Sequence, residues 1–131
     1  MVTKTKQVIV VRKDLKNAGW GKLMAQVAHA SEAAAHTNYL TDNGDLVWSY
    51  IPPKEIREWL RDSFTKICVW AKDEEELLDI YMSARQADLP CSLIKDNGRT
   101  VFKGVPTFTT VGVGPGEISE IDKITGHLPL I

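Results

Sequence analysis

Lys22, Gln26, Asp96, Thr100 and Thr109 are the residues whose types and places in the chain could together do chemistry. An ammonium, a carboxylate, an amide and two hydroxyls at one point can orient or activate a water and stabilise developing negative charge. Other chemistries fit the sequence poorly. Gly19-Trp20-Gly21-Lys22 lacks the glycine five positions before Gly21 that a phosphate-binding loop requires, and Leu23 stands where it needs Ser or Thr. Gly112-Val113-Gly114-Pro115-Gly116 has its third glycine too early for a dinucleotide fingerprint, and Pro115 removes a backbone donor. It reads as a tight strand-to-helix turn. His29, His36 and His127 have no cysteine or carboxylate at ligand spacing, so no metal and no cofactor are expected. No nucleophile elbow exists, and neither Cys68 nor Cys91 sits in an activating context.

The elements that must position those five residues are legible from periodicity. Gln7 to Arg12 is a β-branched run suited to a strand buried on both faces. Asp14 to Gly21 reads as a loop broken by Gly19 and Gly21, followed by an alanine-rich helix from Lys22 to about Asn38. Its apolar face is Leu23, Val27, Ala30 and Ala34. Thr41 to Pro53 is irregular, with an Asn43-Gly44 turn, and Pro53 opens a helix to about Asp62 that should bury Ile56, Trp59 and Leu60. Lys66 to Ala71 is a second strand. Asp73 and Glu76 form a capping box for a helix to about Ala87 that packs through Leu77, Leu78, Tyr81 and Ala84. Strands at Cys91–Ile94 and Thr107–Val113 flank the loop Lys95 to Pro106. A short helix, Glu117 to Ile124, ends at Gly126, and the tail Leu128 to Ile131 can tuck against the core. The order is that of an α/β sandwich with two right-handed parallel strand-helix-strand units and an antiparallel last pair. Loops after the first and third strands then share one edge, which is where Lys22 and Asp96 can converge.

Composition sets the outer bounds. The 131 residues suit one domain, residues 1–131, and 44% hydrophobic with 25% charged is an ordinary globular balance. No apolar run approaches the roughly 20 residues of a membrane span, and the run Val8 to Val11 is too short for a signal-peptide core. With two cysteines in apolar segments, both read as buried thiols of a reducing compartment, the protein is expected to be cytoplasmic and away from membranes. Sixteen Lys plus Arg against seventeen Asp plus Glu nearly cancel. The charges are unevenly spread, though. Lys4, Lys6, Arg12, Lys13, Lys16 and Lys22 face one early acid, Asp14, which allows a basic face able to meet phosphates. Trp20, in a glycine-flanked segment beside Lys22, is the one tryptophan expected to be exposed, where it could stack on a base or ribose.

KQVIVVRKDL, GKLMAQVAHA, LPCSLIKDNGRT, VGVGP and EIDKITGHLPLI, in register from Lys6 to Ile131, closely resemble the peptidyl-tRNA hydrolase 2 family. The resemblance implies a three-layer α/β/α sandwich on a four-stranded mixed sheet of order 2-1-4-3, the last strand antiparallel. It implies hydrolysis of the ester joining a peptidyl group to the 3′ ribose of tRNA, with peptidyl-tRNA as substrate and a homodimer as the family's frequent assembly. Matched by position, the family's site residues are Lys22, Gln26, Asp96, Thr100 and Thr109, with His29 in its Gln-x-x-His and Arg99 beside Asp96. Phosphate contacts are expected from Lys13, Lys16, Lys22, Arg99 and Lys103. Two stretches depart from the family's commoner sequences: Asn17 to Gly21 is one residue longer and one lysine poorer, and Phe102 to Pro106 differs. Two rival readings follow: a non-catalytic tRNA- or protein-binding module, and a hydrolase of a related small ester or amide.

Overall fold

The computed structural model describes residues 4–36, 52–99 and 102–131. Four strands, β1 (Thr5–Arg12), β2 (Lys66–Ala71), β3 (Cys91–Asp96) and β4 (Thr107–Glu117), form one sheet in the order β2-β1-β4-β3. β1 and β2 are parallel, and β4 runs antiparallel to both β1 and β3. The helices are α1 (Trp20–His36), α2 (Lys54–Glu58), α3 (Glu74–Gln86) and α4 (Ile118–Thr125). This is the mixed sheet and strand order that the resemblance implied.

β1 shows why the sequence makes layers. Its β-branched side chains alternate across the pleat, and both faces are covered. Val8 and Val10 enter a core with Leu77, Ile80 and Ala84 of α3 and Ile121 of α4. Ile9 and Val11 enter a second core with Leu23 and Ala30 of α1. α1 comes unusually close to the sheet because the facing residue of β4 has no side chain. A Cβ on Gly112 would lie 2.5 Å from the Ala30 carbonyl oxygen and 2.9 Å from the Ala34 Cβ. Polar struts fix the same contact: Ser92 Oγ donates to the Ala30 carbonyl at 2.7 Å, and Thr110 Oγ1 donates to the Gln26 carbonyl at 3.1 Å. α3 begins at the expected cap, with the Glu76 N–H donating to Asp73 Oδ1 at 2.9 Å.

Several expectations are corrected. Lys13–Ala18 is not open loop but a 3₁₀ segment, and only Gly19, at φ +97°, breaks the chain; Gly21 lies inside the first turn of α1. The Gly114-Pro115-Gly116 turn belongs to β4, which continues to Glu117; Gly116 pairs with Lys6, and the Gly114 N–H donates to the Pro90 carbonyl at 2.7 Å. Leu60 is exposed, because the helix widens after Glu58 into a π turn, Trp59–Ser63, that buries Trp59 and rotates Leu60 outward. In α3 the third core position is Ile80, while Leu78 and Tyr81 are only half-buried. Gly126 follows α4 with an ordinary φ of −62°, so its freedom to adopt a left-handed cap is unused. The tail does more than tuck. Leu128 is buried, the Trp70 N–H donates to the Pro129 carbonyl at 2.8 Å, and the Ile131 N–H donates to the Cys68 carbonyl at 3.1 Å. It thereby occupies the outer edge of β2. The readings of Asn43-Gly44 and Trp48 lie outside the described residues. Among the described residues no helix is long and apolar enough to cross a membrane.

The seat of α1 yields a test. Gly112→Ala forces a methyl into backbone and should destabilise the fold by about 1–3 kcal/mol, the range for overpacking a full core. Urea unfolding measures it; an unchanged midpoint would mean that α1 can retreat without loss.

Candidate active site

Lys22 lies in the first turn of α1, a turn with no acidic residue. A cation at the positive end of a helix dipole is disfavoured unless an anion is brought to it. β3 brings one. Lys22 Nζ is 2.8 Å from Asp96 Oδ1, and the two side chains are only 16% and 11% exposed. Gln26, one turn along α1, donates from Nε2 to the same oxygen at 3.2 Å. Thr109 Oγ1 donates to Gln26 Oε1 at 2.6 Å. The direction of this relay follows from charge: an ionised carboxylate only accepts, so the amide must turn its NH₂ to Asp96 and its oxygen to Thr109. Gln26 and Thr109 are buried behind the ion pair, at 2% and 1% exposure.

The second carboxylate oxygen is held by the loop. The Gly98 N–H donates to Asp96 Oδ2 at 2.8 Å, in an Asx-type turn. Gly98 has φ +81°, and a Cβ there would come within 2.4–2.7 Å of the Val105 backbone, so no other residue fits. Lys22, Gly98 and Gln26 together hold the Asp96 carboxyl below its ordinary pKa, the Lys22 hydrogen bond being the largest cause and desolvation opposing it.

Sequence reading missed Thr110 and the device that aims Thr109. Ile94 stands opposite Thr110 and Lys95 opposite Phe108, so Thr109 is the extra residue of a bulge in β4. Strict alternation would send neighbouring threonines to opposite faces. With the bulge, both hydroxyls reach Gln26, one its side chain and one its carbonyl. The adjacent Thr-Thr pair was the only signal in the sequence.

The remaining candidates are more dispersed. Thr100 lies outside the described residues. Lys13, Lys16, Arg99 and Lys103 are all exposed, as is His29 on α1. Arg12 fastens the 3₁₀ segment that carries Lys13 and Lys16: it grips Asp14 with two hydrogen bonds of 3.0 and 2.7 Å and donates to the Phe108 carbonyl at 2.9 Å. Trp20 is 62% exposed, as expected. It lines an apolar groove of about 260 Å³ with Leu23, Met24, Trp70 and Ile131, on the β2 side of α1. Cys68 and Cys91 are half-buried, and burial pushes both thiols up, away from reactivity.

The depressed Asp96 has a definite pH signature. Its native pKa lies below the unfolded value, so it contributes stability that is present above the ordinary aspartate range and is lost as pH falls through the lowered native pKa. Carboxyl-carbon NMR should show Asp96 titrating below the usual value of about 3.9, and moving upward in Lys22→Met. An ordinary titration in the parent would contradict the ion pair.

The model of the family described as peptidyl-tRNA hydrolase PTH2 matches residues 5–131. The peptidyl-tRNA hydrolase of Methanocaldococcus jannaschii is 41% identical over 126 residues, covering 96% of this chain and 99% of that protein. Those of Methanopyrus kandleri and Staphylothermus marinus are 42% and 39% identical, covering 96% and 98% of this chain and 97% of each relative. Among solved structures, a protein of unknown function from Agrobacterium tumefaciens is similar at a TM-score of 0.55 and 18% identity, with 99% of each chain covered, a likeness of fold alone. With the family model spanning both the sheet and the Lys22–Asp96 relay, the chain belongs to the peptidyl-tRNA hydrolase PTH2 family.

Proposed function

We propose that the protein is a cytoplasmic peptidyl-tRNA hydrolase, cleaving the ester between a peptidyl carbonyl and the 3′ oxygen of the terminal ribose. The observation that carries the chemistry is an ammonium and an ionised carboxylate 2.8 Å apart at the edge of the sheet, backed by a buried relay. Water attacks the carbonyl carbon, the tetrahedral intermediate collapses, and the ribose oxygen leaves with a proton, giving a free peptide acid and tRNA. Lys22 stabilises the oxyanion or holds the neighbouring phosphate. Asp96 orients the water. A carboxylate held toward its ionised form is a weaker proton acceptor, so orientation and charge carry more of its contribution than full deprotonation. Gln26 and Thr109 act from behind by fixing the carboxylate, and Thr100 is proposed as a further hydrogen-bond donor.

The tRNA body is met by the exposed cations Lys13, Lys16, Arg99 and Lys103, with Trp20 and His29 as further contacts on α1. The contacts are to backbone, so many tRNAs are accepted.

Purified protein should release N-acetyl-aminoacyl groups from tRNA. Lys22→Ala and Asp96→Asn, each verified as folded, should lose on the order of 10²-fold or more in kcat. A well-folded parent without turnover would leave a tRNA-binding module. Binding should also fall steeply with salt. Lys16→Ala should lower the slope of log affinity against log salt by about one; an unchanged slope would remove Lys16 from the tRNA face.

A further inference from the structure

Phe102 to Val105 turn back beside the ion pair. Gly104 donates its N–H to the Gly98 carbonyl at 2.8 Å, and Val105 donates to the Phe102 carbonyl at 2.9 Å. Lys103 and Gly104, at φ +52° and +78°, are successive left-handed residues at the centre of this turn. A lysine in that region costs about 1 kcal/mol or more, so surrounding contacts must hold the turn in place. The turn delivers the half-buried ring of Phe102 to Lys22, whose Nζ lies 5.7 Å from the ring centroid. Lys22 is therefore bracketed, with a carboxylate at 2.8 Å and an aromatic ring nearby.

We infer that Phe102 is a positioning residue for the reaction, acting through Lys22. A lysine side chain is a compact charge on a flexible four-carbon stem, so where its ammonium points depends on what surrounds it. The negative face of the ring attracts the ammonium and restricts where it points. The ring also puts low-dielectric matter beside the pair, which strengthens the pull of Asp96 on Lys22. The ammonium is then already oriented when negative charge develops on the carbonyl oxygen.

The inference rests on the hydrolase reading, and the test separates the two. Phe102→Leu keeps an apolar side chain but removes the π face; Phe102→Tyr keeps the face. In steady-state assays on N-acetyl-aminoacyl-tRNA, Phe102→Leu should lower kcat about three- to tenfold, from the weight of a partly exposed cation–π contact. KM should stay within about twofold and the thermal midpoint should be unchanged, and Phe102→Tyr should restore kcat. A second readout needs no turnover. The Lys22 ε-methylene protons should show a ring-current shift in the parent that persists in Phe102→Tyr and vanishes in Phe102→Leu. A leucine variant as fast as the parent, a loss appearing in KM alone, or the absence of a ring-current shift would each overturn the role of Phe102. An inactive parent that still shows the shift would overturn the role in turnover, and with it the hydrolase reading, but not the contact.

Discussion

The missing side chain at Gly112 is the constraint on which the site depends. A sheet residue with no Cβ, facing Ala30 and Ala34, lets α1 settle against β4 with its backbone close to the strand. At that distance, sheet hydroxyls reach helix carbonyls directly: Thr110 meets Gln26, and Ser92 meets Ala30. Gln7 adds a third strut, from its amide to the Ser31 carbonyl at 3.0 Å. Buried polar groups satisfied in this way fix the helix in rotation and in register as well as in depth. An apolar interface alone would tolerate sliding. Because α1 is fixed, Lys22 and Gln26 are aimed at the end of β3 without any contribution from their own side chains.

Charge then orders what packing has brought together. Lys22 would be unfavourable at a helix start, and Asp96 would be unfavourable half-enclosed; each removes the other's difficulty. Once Asp96 is ionised, the rest of the relay has a single hydrogen-bonding pattern. Gln26 must donate to it, Thr109 must donate to Gln26, and Gly98 secures the second oxygen. The site therefore has a partly exposed rim carrying the charges and a buried base carrying the orientation.

Those two parts were not equally legible in the sequence. The ends of strands one and three were readable from β-branched runs, so Lys22 and Asp96 could be brought to one edge by topology. The cap at Asp73 was readable because its chemistry is local. What could not be read depends on non-local pairing. The bulge that turns Thr109 toward Gln26 exists only in the register of β4 on β3. β4 runs through Gly114-Pro115-Gly116 because β1 and Pro90 offer partners to these residues, although their types signal a turn. Leu60 faces solvent because one π turn shifts the helical phase, which a periodicity argument takes as constant. The place of the Phe102 ring likewise depends on the turn at Lys103-Gly104, which no local residue pattern announces.

The division into rim and base also sets where this chain can be altered without disturbing the Asp96 relay. Asn17 to Gly21 and Phe102 to Pro106 fall on the rim, at the start of α1 and beside the ion pair. Neither touches the Gln26–Thr109 base, where an altered residue would leave a buried donor or carboxylate oxygen short of a partner, a loss of about 1–3 kcal/mol. A rim residue instead meets water when its partner is removed, so its replacement acts mainly on how Lys22 is held.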